Sequence, residues 1–111
     1  MAQIIDGKAL AAEIRARIQP EAAALPRRPG LAVILAGEAP ASQLYVKNKV
    51  KDCAECGFFS RRIDLPANTS EEELLGILNK LNADGGIDGV LVQLPLPGQM
   101  EEKRIIEAIS P

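Results

Sequence analysis

The stretch APASQLYVKNKVKDCAECG, residues 39–57, holds the only tyrosine of the chain, in its most lysine-dense part. Advancing about 100° per residue on a helical wheel with Tyr45 at zero puts Lys49 near 40°, Ser42 near 60°, Val46 near 100°, Val50 near 140° and Ala54 near 180°, one continuous sector. Lys47, Lys51 and Glu55 fall between roughly 200° and 280°, the side a surface helix turns to water. The lysines are therefore not equivalent. Lys49 stands at the shoulder of the apolar stripe beside Tyr45 and Ser42, where partial desolvation favours the neutral amine and suits it to acid–base work. The same geometry also fits a lysine whose stem snorkels over a packed tyrosine ring, and the wheel alone leaves both readings open. Lys47 and Lys51 read as solvated charges.

A second candidate lies in VLVQLPLP, residues 90–97. An apolar strand that meets Gln93 and then Pro95 and Pro97 must stop pairing there, because proline has no amide hydrogen to give. Gln93 is thus expected at the carboxyl end of its strand. The helix with Tyr45 and Lys49 follows another strand through a short loop, so its first turns belong to the same edge, where open parallel sheets bind ligands. Two separate segments therefore aim Tyr45, Lys49 and Gln93 at one cleft.

The chain has no histidine and two cysteines, Cys53 and Cys56. A histidine base and a histidine-ligated metal are excluded within these residues, and one Cys-x-x-Cys pair is half of what a structural zinc site takes. The pair falls near the end of its helix, where the helix dipole disfavours a thiolate, so buried reduced thiols are expected. No metal site is expected.

The elements that position these residues alternate in period. Residues 8–24 read as a helix with Leu10, Ile14, Ile18 and Ala22 on one stripe, ended by the Pro26–Gly30 segment. Residues 31–37, LAVILAG, form a wholly apolar run, the pattern of a strand covered on both faces. The helix from 39 stops at Gly57. FFSRRIDLP gives a second strand broken at Pro66. NTSEEELLGILNKLNAD opens with Thr69 or Ser70 as cap, carries Glu71 to Glu73 in its first turn and turns Leu74, Leu75, Leu78 and Leu81 inward. IDGVLVQLPLP supplies a third buried strand, and MEEKRIIEAIS a last helix. Helix-length connections between strands require parallel pairing, giving an α/β fold of three layers, α/β/α, with a mainly parallel sheet.

Composition narrows the partners. The 111 residues, 47% of them hydrophobic, suit one domain. Thirteen basic against fifteen acidic residues leave no field favouring nucleic acid or an anionic membrane. The start, MAQIIDGKAL, has no basic segment followed by an apolar run, and no stretch is apolar enough to span a bilayer, so a cytoplasmic protein with a small-molecule or protein partner is expected.

The chain resembles the N-terminal domain of the bifunctional methylenetetrahydrofolate dehydrogenase/methenyltetrahydrofolate cyclohydrolase family, an amino-acid-dehydrogenase-like architecture. The resemblance runs through IIDGK at 4–8, PGLAVILAGEAPASQLYVKNKVKDCAECGF at 29–58, NADGGIDGVLVQLPLP at 82–97 and the closing IIEAISP. It implies a folate-binding catalytic domain over residues 1–111, with Lys49 as catalytic lysine, Tyr45 against the folate ring system and Gln93 hydrogen-bonded to the lysine. Ser42, Leu94 and Pro95 join Tyr45 and Gln93 as substrate contacts. It further implies tetrahydrofolate derivatives as ligands, a homodimer of the full-length enzyme, and NADP held by a C-terminal dinucleotide-binding domain not present in these residues. Gly85–Gly86 precedes a strand instead of opening a helix, so this chain by itself is expected to bind no NADP. Two other readings stand beside this one: another amino-acid-dehydrogenase-like enzyme, which Gln-Leu-Pro-Leu-Pro argues against, and a non-catalytic folate-binding module.

Overall fold

A computed structural model of the protein describes residues 3–111; Met1 and Ala2, part of the amino-terminal stretch read above, lie outside it. In chain order the elements are α1 (Gly7–Ala23), β1 (Gly30–Ala36), α2 (Pro40–Glu55), β2 (Phe59–Leu65), α3 (Glu71–Asn82), β3 (Gly89–Val92) and α4 (Glu102–Glu107). The strands form one parallel sheet in the order β2-β1-β3. The apolar run read as a doubly covered strand is therefore the central one. Alternation along β1 divides its side chains between the two faces. Ala32, Ile34 and Ala36 pack with Leu74, Leu78 and Leu81 of α3 and Ile105 of α4, while Val33 and Leu35 pack with Val46 of α2. Three layers result, as expected.

Local chemistry sets the ends of the elements. Ser70, not Thr69, caps α3: its hydroxyl oxygen accepts from the Glu73 amide at 3.1 Å, and Glu71 to Glu73 occupy the first turn. The Thr69 hydroxyl instead donates to the Pro66 carbonyl at 2.7 Å. Leu74 and Leu78 are fully buried, and each such side chain contributes about 1.5–3 kcal/mol before chain entropy is counted. Pro66 stops β2 at Leu65. Beyond α2 the chain turns at Gly57 with φ +78°, a left-handed conformation that glycine adopts without penalty.

Several expectations are corrected. Leu10 and Ile14 share a helical face as predicted, but they are 50% and 45% exposed, and Ala22 is the buried residue of α1. α1 lies against α2 and not on the sheet, tied through Arg15 to Glu55 at 2.7 Å, so most of its apolar stripe is left uncovered. The third strand is shorter than IDGVLVQLPLP, and its four residues are half-buried because β3 is an edge of the sheet. The helices read over 68–84 and 100–110 are trimmed to α3 and α4. Among the described residues no helix is long and apolar enough to cross a membrane.

The amino edge of the sheet is closed by a reciprocal clamp. Gly30 donates its amide to Asp88 Oδ2 at 2.8 Å, and Asp88 returns its own amide to the Gly30 carbonyl at 2.7 Å. Arg27 then grips both Asp88 oxygens, at 3.0 and 2.7 Å. The loop before β3 presses so close to β1 that a Cβ on Gly30 would stand 2.0 Å from the Gly86 carbonyl oxygen. Backbone cannot swing aside as a side chain can. Gly30→Ala is therefore expected to cost about 1–3 kcal/mol, the range for forcing a methyl into packed structure; an unchanged urea-unfolding midpoint would refute the close approach.

The same clamp sets a pH dependence. The hydrogen bonds from Arg27, and then that from the Gly30 amide, hold the Asp88 carboxyl below its ordinary range. A carboxyl lowered in the folded state stabilises fully above its unfolded value of about 3.9 and loses that contribution as pH falls through the folded value. Asp88→Asn should thus melt below the parent at neutral pH, and the gap should close as the pH is taken down past that point. A gap of constant size from neutral to strongly acidic pH would show that the charge of Asp88 is irrelevant.

Candidate active site

Lys49 lies in the third turn of α2, the last of the turns that can reach back to the sheet edge. Its reach comes from geometry: the Cα–Cβ bonds of a helix tilt toward the helix amino terminus, and four methylenes extend that lean back toward the edge. There Lys49 Nζ donates to Gln93 Oε1 at 2.5 Å. The two motifs, separated by more than forty residues, meet in one hydrogen bond.

Gln93 is set by its backbone on both sides. Val92 is the last residue of β3, paired with Ile34 of β1, and the Gln93 amide still donates to the Ile34 carbonyl at 2.9 Å. Pairing then ends at the cis Leu94–Pro95 peptide. The side chain is 9% exposed, and its Nε2 donates to the Leu94 carbonyl at 2.9 Å. The amide orientation is thereby determined: Nε2 faces a carbonyl, so Oε1 faces the ammonium. Leu94 and Pro95 are exposed at the same bend, and Leu96 turns into the core.

Tyr45 sits one turn before Lys49 and is 54% exposed. This corrects the wheel, whose sector ran unbroken from Tyr45 to Ala54. The buried face of α2 is narrower and contains Ser42, Val46 and Cys53, while Ala54 is exposed. Tyr45 borders that face without joining it and leaves its ring largely open to solvent. Lys47 and Lys51 are exposed, as the wheel indicated, and Lys49 is intermediate. The structure thus brings Lys49 and Gln93 together, with Tyr45 on the same helix face and Ser42 buried beneath.

Sequence reasoning missed a cavity of about 450 Å³ on the other flank of α2. It is lined by Gly37, Glu38, Gln43, Arg62 and Asp64 among others, and not by Tyr45, Lys49 or Gln93. The period-2 pattern of FFSRRIDLP carried the signal, since it put Arg62 and Asp64 on the face opposite Ile63. Arg62 is spent on Asp64, at 3.0 and 3.1 Å.

The residues present do not fit a dinucleotide pyrophosphate. The β1–α2 turn has one glycine, Gly37 at φ +95°, followed by the Glu38 carboxylate, and Pro40 removes an amide from the start of α2. The start of α3 carries three glutamates, and β3 runs into prolines. An anion cradle needs free amides at a glycine-rich helix start.

Comparison with known proteins places this geometry. The family model described as "Tetrahydrofolate dehydrogenase/cyclohydrolase, catalytic domain" matches residues 5–111. The chain is 55% identical over 114 aligned positions to the bifunctional protein FolD of Geotalea daltonii, covering all of this chain and 41% of that protein. The fold is similar to the crystal structure of the bifunctional FolD methylenetetrahydrofolate dehydrogenase/cyclohydrolase from Campylobacter jejuni, with a TM-score of 0.92 and 44% identity over 95% of this chain and 38% of that one. It is also similar to the Trypanosoma brucei methylenetetrahydrofolate dehydrogenase-cyclohydrolase complexed with NADP cofactor and inhibitor, with a TM-score of 0.95 and 37% identity over 99% of this chain and 39% of that one. The chain spans about two fifths of the length of the curated relatives it matches. A family match that takes in all but the first few residues, on a fold shared with solved members, makes this chain a member of the tetrahydrofolate dehydrogenase/cyclohydrolase family, within its catalytic domain.

Proposed function

We propose that these residues form the folate-binding catalytic domain of an enzyme that oxidises methylenetetrahydrofolate to methenyltetrahydrofolate and hydrolyses the product to formyltetrahydrofolate, with Lys49 as the proton-transfer group. The observation that carries the reading is the hydrogen bond from Lys49 Nζ to Gln93 Oε1. It fixes an amine beside an exposed aromatic ring at the carboxyl edge of a parallel sheet, where such sheets take ligands. NADP as the oxidant, held by a further domain of the full-length protein, belongs to this reading, supported by the NADP complex of the Trypanosoma brucei relative. So do the homodimer that the resemblance implies and the cytoplasmic setting expected from the amino-terminal sequence.

Each residue has a role its chemistry suits. The Tyr45 ring offers a flat face to the pterin and aminobenzoyl rings, and its exposure leaves that face free. Ser42 and the exposed Leu94–Pro95 bend border the same edge as substrate contacts. In the hydrolytic step water adds to the methenyl carbon and gives one proton to Lys49 Nζ; the resulting carbinol then releases its O–H proton to solvent as the formyl C=O forms, and the carbon–nitrogen bond of the bridge breaks with the leaving nitrogen taking the proton held by Lys49. Lys49 can hold its hydrogen bond to Gln93 Oε1 in either protonation state, since the neutral amine keeps two N–H donors and gains a lone pair. A fixed guanidinium has no lone pair to offer and would repel the cation permanently.

Two experiments test the reading. In the full-length protein, Lys49→Gln is expected to lower cyclohydrolase kcat by ~10²–10⁴-fold, the worth of a positioned acid or base, whereas Lys47→Gln on the solvated face leaves it nearly intact. Equal losses from the two would remove Lys49 from the chemistry. The 111-residue chain, for its part, should bind folate weakly on its preformed helix-and-strand wall and show no calorimetric NADP binding and no NADP reduction with methylenetetrahydrofolate. Robust reduction by this chain, free of full-length enzyme, would overturn the division of labour between domains.

A further inference from the structure

An apolar groove of about 320 Å³ opens between α1 and the carboxyl end of α2, on the side of α2 away from the sheet edge and unused by the folate chemistry. Ala11 and Ile14 of α1 and Phe58 just beyond α2 wall it, and Cys53 and Cys56 lie in its lining. Both cysteines are free, 7% and 5% exposed. Their spacing of three on helical backbone, which Cys56 keeps with φ −79° and ψ −5°, puts the two Cβ atoms about 5–6 Å apart. They form a vicinal dithiol facing one cavity. Burial, then the neighbouring Cys56 and Asp52, push the Cys53 thiol up, so it rests protonated. Arg15, which also lines the groove, is spent on Glu55 at 2.7 Å and Asp52 at 3.8 Å and offers no thiolate a countercharge.

We propose that this groove is a two-thiol site for organic trivalent arsenicals, with arsenic held by Cys53 and Cys56 and its aryl group seated on Ala11, Ile14 and Phe58. For an aryl arsenic oxide the two S–H protons pass to the oxygen, which leaves as one water, and two As–S bonds replace the As–O bonds. No oxidation state changes, and no further reactant is needed. The adduct is neutral, which suits a groove whose surface is mainly apolar and whose two charged residues, Arg15 and Asp52, are already paired; two thiolates on a monovalent soft metal would leave an uncompensated anion in the same place. Inorganic arsenite, with a remaining hydroxyl in place of the ring, buries a polar group and gains no apolar contact there.

The test is native mass spectrometry of the reduced full-length protein with phenylarsine oxide and with arsenite, compared with the Cys53→Ser/Cys56→Ser double variant. One aryl-arsenic per chain is expected, displaced by ethanedithiol and not by an equal concentration of a monothiol, and absent from the double variant. Either single serine variant should bind roughly 10²-fold more weakly or worse, because the second thiol acts at high effective concentration. The parent should prefer phenylarsine oxide over arsenite by about tenfold through ring burial, and Ile14→Gln, at a half-exposed position that tolerates polarity, should erase that preference while leaving arsenite binding unchanged. An adduct that persists in the double variant, or an aryl preference that survives Ile14→Gln, overturns the proposal; so does labelling seen only in guanidinium, which would mean that the folded groove is closed.

Discussion

The central strand is the constraint on which the rest depends. β1 is paired in parallel on both edges and buried on both faces, so its seven residues have no freedom to be polar, to slip register or to admit water. A one-residue slip would exchange the side chains facing α3 with those facing α2, sending Ile34 toward α2 and Val33 toward Leu74 and Leu78. Both clusters would be mispacked at once. The amino end is fixed independently by the Gly30–Asp88 exchange, which locks the register at the point where β3 approaches.

From that register the site follows by arithmetic. Ile34 of β1 stands opposite Val92, so the next residue of β3 is the first beyond the paired segment, and it is Gln93. The chain that leaves β1 three residues after Ile34 turns at Gly37 into α2, and the helical period brings Lys49 round to the face bearing Ser42 and Val46. Neither residue reaches the other through flexibility alone. A rigid strand end and a rigid helix each supply one partner, the arrangement that holds catalytic groups more tightly than loops do.

Much of this was legible in the sequence because it rests on local chemistry. LAVILAG can be only a buried strand or a short buried helix, and seven residues bounded by glycine and proline decide for the strand. Pro95 and Pro97 end β3 for want of an amide, which locates Gln93 at the strand end. What stayed hidden depends on what covers a face. Leu10 and Ile14 share a stripe at helical spacing, yet no pattern in the chain reveals that α1 lies on α2 and leaves them half in water. The exposure of Tyr45 was hidden for the same reason: a wheel orders residues by angle but does not show how wide the covering neighbour is. Gly30 reads in the sequence only as part of the segment that ends the first helix, since the approach of Gly86 comes from residues more than fifty positions away.

In the proposed reaction, why a glutamine holds the lysine, and not a carboxylate, follows from what the amine would have to do. An aspartate or glutamate at hydrogen-bond distance would add a countercharge that stabilises the ammonium, and a lysine pinned in that form can neither take a proton from water nor sit quietly beside a cationic bridge. Leaving the lysine unpartnered would free its charge state but also its rotamers, whose freezing then falls on substrate binding. A neutral amide escapes both difficulties. It fixes the position of Nζ through one acceptor atom and sets no countercharge beside it. For this the amide must not flip, since a rotated Gln93 would present donors to a donor. The Leu94 carbonyl prevents that by accepting from Nε2, and it is held in turn by the bend that ends β3. The backbone stop that reads in the sequence as two prolines thus reaches the Lys49 amine through a single side chain.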